Sequence, residues 1–381
     1  VRRGCSGTYV CTHESVAHQK GKLSQAQLDG FKSRALRATA PTQQHLYATE
    51  WSSIELASVA PTGGRKVLVV SDVEVELASC ECLDSAMTRE ALLAKLDASM
   101  VVSTAAALQR GARELHALRS LEVALLLVQV QLGMAQPPTV ILLTLGAQQS
   151  GWYVSAAAHA ASAWGLARSA RVEAQLPVLC FDGRAAEALE LEARLAEPEV
   201  VLRPSSRLVP RLAHAPTLGE PSDPDVSAGG RHLVTGGTGG LGLLTGRWLA
   251  QRGANALLLV SRSGVVAGSM SGEWAQLQSV GVPAVTTRCD TAEVSHVRRV
   301  RSLGPLAGVW HAAGVLADAV LPRQSAASLA RVSAPKAQGA CALLADVSTP
   351  LNSCVLFSSV AAMLGDCPFA SLTAWLIPWR I

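Results

Sequence analysis

The chain has 381 residues, of which 49% are hydrophobic, 16% charged and 4% aromatic, with a formal charge of +4. That length accommodates two or three domains at about 100–200 residues each, and the apolar fraction excludes a disordered chain. The weak, dispersed positive charge argues against a nucleic-acid partner. The richest apolar stretch, Val123–Ala135, is interrupted by Gln129, Gln131 and Gly133, so no membrane span is expected.

The first residues, Val1-Arg2-Arg3-Gly4-Cys5, include no initiator Met and no apolar signal core, and read as an internal cut point. Nine cysteines are scattered through the chain, and the closest pair, Cys80 and Cys82, is too tight for a zinc knuckle. The expectation is reduced, mostly buried thiols in a cytoplasmic protein without a metal site. The cations are biased towards arginine. Lysine occurs at six positions, and from Leu96 onward Lys336 stands alone.

In chain order, residues 1–45 are polar, with a predicted helix over Ser24–Ala38, and read as a linker or the end of a preceding domain. Strands are predicted at Leu46–Ser52 and Lys66–Ser71. Helices follow at Ser85–Ala98 and Ala105–Leu132, the second stopped by Pro137-Pro138. Strand Thr139–Leu145, helix Ser155–Ala174 and strand Pro177–Asp182 complete an α/β layer over 46–216. Residues 217–230, rich in Pro, Gly, Asp and Ser, read as a linker.

A second α/β pattern occupies 231–381. Its predicted strands are His232–Thr235, Ala256–Ser261, Ala284–Arg288, Gly308–Ala312 and Ser353–Ser358. Its predicted helices are Leu241–Arg252, Gly272–Val280, Thr291–Leu303 and Ser325–Ala345, with Gly253 as a C-terminal cap. The fold class is therefore α/β, with two Rossmann-like, doubly wound parallel sheets. The second is expected to be truncated at its C-terminus.

Thr235-Gly236-Gly237-Thr238-Gly239-Gly240-Leu241-Gly242 lies between a predicted strand and a predicted helix. A helix N-terminus offers unpaired N–H groups and a positive dipole end to a pyrophosphate, and glycines let the backbone approach it. In isolation such a cluster is weak evidence, the alternative being a flexible turn; the strand–loop–helix context favours dinucleotide binding. The spacing Gly236-xxx-Gly240-x-Gly242 is that of short-chain dehydrogenases. An NAD enzyme carries an acid about twenty residues further on. Here that place reads Ser261-Arg262-Ser263, where Arg262 suits a 2′-phosphate, so NADPH is favoured. Asp290 is a candidate for the adenine edge or for an ordinary helix N-cap. No such loop follows Lys66–Ser71, where Asp72-Val73-Glu74-Val75-Glu76 would repel phosphate.

These motifs, with His311-Ala312-Ala313-Gly314-Val315-Leu316, Ala334-Pro335-Lys336-Ala337-Gln338-Gly339 and Leu356-Phe357-Ser358-Ser359-Val360-Ala361, resemble a ketoreductase domain of modular type I polyketide synthases. Tyr47-Ala48-Thr49-Glu50-Trp51, Trp164-Gly165-Leu166-Ala167-Arg168 and Val209-Pro210-Arg211-Leu212 are similar to the structural subdomain that precedes its catalytic half. The resemblance spans about residues 45–370. It implies NADPH-dependent reduction of the β-keto group of an acyl chain held on an acyl carrier protein, alongside other synthase domains. It also implies that Thr235–Gly242, Ser261, Arg262, Asp290, Ala312, Ala313 and Gly314 face the cofactor. Lys336 would orient the nicotinamide ribose, and Ser359, or its neighbour Ser358, would hydrogen-bond the substrate carbonyl. Asp318, in Leu316-Ala317-Asp318, resembles the Leu-x-Asp fingerprint, and Leu364 stands where the opposite stereochemical class carries Trp. A B-type reductase giving a D-hydroxyl is implied, the alternative being a surface aspartate that starts a helix.

The pattern then breaks. Gly365 fits, but Leu372 occupies the place of the proton-donating tyrosine and Leu376 that of an asparagine. The tyrosines are Tyr9, Tyr47 and Tyr153, none of them after Ser359. Pro378-Trp379-Arg380-Ile381 does not echo the family, so a frame shift or mis-spliced exon near 366–369 is expected to have replaced the true C-terminus. The rival readings are a catalytically inactive structural module and the ketoreductase of a fatty acid synthase.

Overall fold

The computed structural model describes residues 9–11, 26–28, 47–55, 66–71, 80–84, 86–96, 100–106, 115–148, 161–184, 197–214, 230–345 and 351–359. Val1–Tyr47 with His214–Leu218 make up one compact unit. Its described strands are β1 (Tyr9–Cys11) and β2 (Ala26–Leu28), paired antiparallel. A helix over Ser24–Ala38 is thus corrected at Ala26–Leu28, where cross-strand pairing overrides the helical preference of Ala, Gln and Leu.

Ala48–Ala213 with Gly219–Ile381 form the second unit. Its first sheet contains β3 (Tyr47–Ser53), β4 (Val67–Val70), β5 (Cys80–Leu83), β6 (Met100–Ala106), β7 (Thr139–Thr144), β8 (Val178–Asp182), β9 (Glu199–Arg203) and β10 (Ser206–His214). The order is β3-β10-β9-β8-β7-β6-β4-β5, parallel from β5 to β9. β9 and β10 pair antiparallel. β7 (Thr-Val-Ile-Leu-Leu-Thr) is apolar without alternation because helices cover both faces of such a sheet. The helices are α1 (Arg89–Lys95), α2 (Leu115–Gln131) and α3 (Ser162–Ala174). The helix expected from Ala105 is corrected at its start, which is strand to Ala106, and the described helix runs over Leu115–Gln131.

The second sheet is fully parallel, in the order β13-β12-β11-β14-β15. Its strands are β11 (Arg231–Thr235), β12 (Ala256–Ser261), β13 (Ala284–Arg288), β14 (Gly308–His311) and β15 (Ser353–Leu356). Helices α4 (Gly240–Gln251), α5 (Ser271–Ser279), α6 (Val294–Arg301), α7 (Ala326–Ser333) and α8 (Gly339–Leu344) connect them. Gly253, at φ 93°, closes α4 as expected, with Ala254 N–H donating to Leu249 O at 3.1 Å. The chain runs outward from β11 through β12 to β13, then returns to β14 on the other side of β11. That reversal opens a crevice at the carboxyl ends of β11 and β14, where open α/β sheets bind ligands.

The two sheets share a hydrophobic core. Leu121, Leu125 and Val128 of α2 and Trp164 and Leu166 of α3 lie in one buried cluster with Ala317, Leu321, Leu329 and Val332 from the second half. Burying Leu321, Leu329 and Val332 stabilises the fold by roughly 6 kcal/mol, comparable with the whole net stability of a domain, about 5–15 kcal/mol. Gln129 Nε2 donates across this junction to Leu321 O at 3.0 Å and Gln324 O at 2.9 Å. Glu173 Oε1 accepts from Leu321 N–H at 2.9 Å.

Among the described cysteines, Cys180 and Cys289 are buried, whereas Cys82 and Cys341 are exposed and Cys80 and Cys354 are half-buried. Among these six described cysteines the expectation of mostly buried thiols does not hold. Burial pushes the Cys180 thiol up to about 12 and Cys289 to about 11, so these two remain protonated. No disulfide occurs among the described residues, nor any cluster of three or more His, Cys, Asp or Glu that could hold a metal. None of the described helices is long and apolar enough to cross a membrane.

Candidate functional site

The glycine-rich loop turns from the end of β11 into α4. Its glycines fall into two groups. A Cβ on Gly236, whose φ is +64°, would meet Ala312 O at 2.9 Å; on Gly237 it would meet Val234 O at 2.7 Å; on Gly242 it would collide with Gly236 O. Those three are demanded by the protein's own packing. Around Gly240 the nearest atom to such a Cβ is Met270 Sδ at 3.9 Å, and around Gly239 it is Gly236 O at 3.4 Å. Gly239 and Gly240 are exposed, and Gly239 is the N-cap of α4 without a side-chain cap. The first N–H groups of a twelve-residue helix therefore open onto space that no described side chain fills. This cradle fits a pyrophosphate. Thr238 is buried, and Leu241 is half-exposed beside the opening.

At the end of β11, Thr235 is fully buried. Its Oγ1 accepts from Ala313 N–H at 3.0 Å and lies 2.7 Å from His311 Nδ1. His311 Nε2 lies 3.1 Å from the backbone carbonyl of Lys336. A carbonyl only accepts, so Nε2 carries the proton; Nδ1 then accepts from the Thr235 hydroxyl. Burial holds His311 below the ordinary imidazole range, consistent with this neutral tautomer. The network ties together the carboxyl ends of β11 and β14 and the helix carrying Lys336.

Lys336 sits in a π-helical segment, Ala334–Gln338, inserted between α7 and α8. Such segments often mark functional sites, and this one divides the single helix expected over Ser325–Ala345. Thr291 Oγ1 pins the segment by donating to Pro335 O at 3.0 Å. The Lys336 side chain is 8% exposed, and a Cβ on Gly314 would lie 2.6 Å from its Cε. Gly314 is thus needed for the ammonium to lie over the Ala312–Gly314 turn. Desolvation lowers the Lys336 pKa.

β12 ends at Ser261, whose Oγ accepts from Gly264 N–H at 3.0 Å, shaping the turn that carries the exposed Arg262. Asp290 Oδ1 accepts from Ala292 N–H at 3.1 Å. The N-cap of α6 is Glu293, so the helix-cap alternative for Asp290 is corrected: it closes the preceding turn. Ser359 is half-buried and Ser358 exposed just beyond β15, where Phe357 N–H extends the pairing to His311 O at 3.0 Å. Asp318 is exposed in the irregular segment after β14, and the helix-start alternative does not hold because α7 begins at Ala326 with Ser325 as its cap. Leu364, Gly365, Leu372 and Leu376 lie outside the described residues. The sequence motif contains His311 without revealing its role; a histidine closing an apolar strand is the signal that could have singled it out.

In the first half, the carboxyl end of β8 carries a buried, hydrogen-bonded carboxylate. Asp182, fully buried, accepts from Thr144 Oγ1 at 2.9 Å, Ala147 N–H at 3.1 Å and Gln148 N–H at 3.1 Å. Asp72–Glu76 lie outside the described residues.

A parallel sheet in the order β13-β12-β11-β14-β15, with a glycine loop at its switch point and a buried lysine beside it, defines a Rossmann-like domain of the short-chain dehydrogenase/reductase type. Residues 230–374 match the family model described as KR domain, and the chain is similar to polyketide synthases and to solved polyketide synthase ketoreductases. The chain is 36% identical over 222 residues to the spectinabilin polyketide synthase system protein NorA' of Streptomyces orinoci, covering 56% of this chain and 6% of that protein. It is 34% identical over 154 residues to the pikromycin polyketide synthase component PikAIII of Streptomyces venezuelae, covering 39% and 10%. It therefore spans a tenth or less of the length of these relatives. Among solved structures, an A1-type ketoreductase aligns with a TM-score of 0.73 and 26% identity over 87% of this chain and 77% of that one. The first ketoreductase of the tylosin PKS aligns at 0.71 and 27%, over 86% and 77%.

Proposed function

We propose that residues 231–381 bind NADPH and act in the reduction of the β-keto group of a polyketide intermediate, carried by an acyl carrier protein, to a hydroxyl. Residues 46–216 serve as a cofactor-free structural subdomain. The observation that carries the reading is the packing of the buried Lys336 side chain on Gly314 beside the open N-terminus of α4. A cation held there would bind the nicotinamide ribose and fix its orientation. NADPH supplies a hydride when bound. Gly239 and Gly240 leave room for its pyrophosphate, Arg262 pairs with the 2′-phosphate, and Asp290 faces the adenine. Ser359 is the donor for the substrate carbonyl, and Asp318 governs which face of the ketone is presented. The polyketide synthases among the relatives support this pathway over fatty acid synthesis.

Leucine at position 372 favours a second reading, a scaffold module that binds the cofactor without reducing substrate. Loss of general acid catalysis costs about 10²–10⁴-fold in rate. The test is a fluorescence titration with NADPH together with turnover on a β-ketoacyl thioester. Binding with negligible turnover fits the scaffold reading for this chain, and turnover at a rate typical of ketoreductases fits the catalytic one. Failure to bind NADPH removes both.

A further inference from the structure

Arg288 ends β13, one strand further out than the turn that carries Arg262, and its Cα is the register partner of Ser261. Adjacent strands lie about 4.8 Å apart, so Arg288 and the turn that carries Arg262 meet at the carboxyl edge of the sheet. Alternation along β13 fixes the face. Cys289 packs with Leu258 and Val260 on one side, whereas Ala284 packs with Val266 and Met270 on the other. Arg288 shares the face of Ala284, the side on which the loop leading from Arg262 crosses the sheet. That loop lies close, since a Cβ on Gly264, at φ +69°, would sit 2.7 Å from Arg288 N.

Both guanidiniums are exposed, and neither makes a hydrogen bond or ion pair among the described residues. A third reaches the same corner from α6, where Arg299 Nη2 donates to Arg288 O at 3.0 Å. The carboxylate at hand, Asp290, is engaged with Ala292 N–H. Cations gathered without neutralising partners repel one another, and a dianion placed among them relieves that repulsion.

We infer that Arg288 is a second contact for the cofactor's 2′-phosphate, forming with Arg262 a two-guanidinium clamp that selects NADPH over NADH. This rests on the NADPH-binding reading given above. Arg262 approaches the phosphate from the turn after β12 and Arg288 from the end of β13, with Arg299 holding the carbonyl at that end. The geometry explains why an arginine stands at position 288, where a strand end on an exposed edge places no packing demand on the residue.

The test compares the affinities of NADPH and NADH for the unaltered chain and for Arg288→Gln, by fluorescence titration at low ionic strength. Arg288→Gln is expected to weaken NADPH about tenfold and to leave NADH unchanged, with the urea midpoint preserved because the Arg288 side chain holds no partner. Equal NADPH affinity in the two proteins overturns the clamp while leaving NADPH binding intact. An equal loss for NADPH and NADH also overturns it, since the residue would then act on the fold or the shared part of the cofactor. If the unaltered chain binds neither dinucleotide, the parent reading falls, and the clamp falls with it.

Discussion

His311 donates from Nε2 to the backbone carbonyl of Lys336 across 3.1 Å, while its Nδ1 accepts from Thr235. The imidazole thus sets the height of the lysine's π-helical segment against the strand that feeds the glycine loop. Arg or Lys at position 311 would bring a second cation beside Lys336, and an aliphatic residue would leave Thr235 Oγ1–H and Lys336 O without partners. Each buried group left unpaired costs about 1–3 kcal/mol. His311→Ala is expected to lower the unfolding free energy by about 2–4 kcal/mol and to weaken NADPH binding. His311→Asn, whose amide can donate to Lys336 O, should recover part of the binding. Urea unfolding and cofactor titration of both variants check this; an unchanged affinity in His311→Ala would show that the lysine segment is held without the imidazole.

Stability should fall on mild acidification. His311 and His232 are both held below the ordinary imidazole range by burial. In the unfolded chain these histidines take up protons from about pH 6.5 downward, whereas in the folded chain they resist. The unfolded state then binds more protons, so the unfolding free energy falls as pH drops through about 6.5 towards the lowered folded pKa values. Urea midpoints should be level between about pH 8 and 7 and decline towards about pH 5, above the range where ordinary carboxylates titrate. The decline should be shallower in His311→Asn. A midpoint constant over that range contradicts the neutral buried imidazoles.

The loop glycines should separate by substitution. Gly242→Ala forces a Cβ into Gly236 O and should destabilise the fold by about 2 kcal/mol or more. Gly240→Ala meets only Met270 Sδ at 3.9 Å and begins a helix, so stability should be kept or slightly raised. Gly240→Val places branched carbons over the open N–H groups and should weaken NADPH binding more than Gly240→Ala does. Thermal unfolding and cofactor titration of the three variants distinguish packing glycines from access glycines. A stable, tightly binding Gly242→Ala, or a Gly240→Val with undiminished affinity, contradicts the division.

Legibility in the sequence followed the range of the interactions. Strands β11, β12 and β14 were readable from their apolar centres with Gly or Ser at an end, and β13 from Val and Thr following Pro283; their predicted limits agree with the structure to within a residue or two. The strand Cys80-Glu81-Cys82-Leu83 was not, because an edge strand carrying a charge has no apolar signature. At Met100–Ala106 the terminal alanines merge into a helix-like composition, and only pairing with β4 and β7 selects the strand. The hairpin of β9 and β10 turns on Pro204-Ser205, a pair without the usual glycine signal. In the site, Thr235–Gly242 and Lys336 announced themselves by local pattern and by the scarcity of lysine. The role of His311 did not, because its partners are 76 residues before it and 25 after it. Arg288 needed the register with Ser261 before it meant anything.

Gln129 links the first half to the segment that precedes Lys336. Its amide donates to Leu321 O and Gln324 O, and Gln324 Nε2 in turn donates to Ala319 O at 2.9 Å and Ala317 O at 3.2 Å. The irregular stretch from Ala317 to Ser325 thus has its carbonyls collected by two glutamines, one of them on α2. Methionine at position 129 matches the length of the side chain but cannot donate, so two part-buried carbonyls lose a partner at about 1–3 kcal/mol in total. Leu321 and Val332 would remain packed in the shared core, so the variant should still fold. Amide exchange should quicken over Ala317–Ser325 while the protected strands β11 and β12 keep their rates. NADPH affinity should fall several-fold, because Lys336 is carried on the helix that this stretch leads into. Exchange unchanged over Ala317–Ser325 in Gln129→Met, with full affinity, would mean that the apolar contacts of Leu321, Leu329 and Val332 hold the lysine helix without the glutamine.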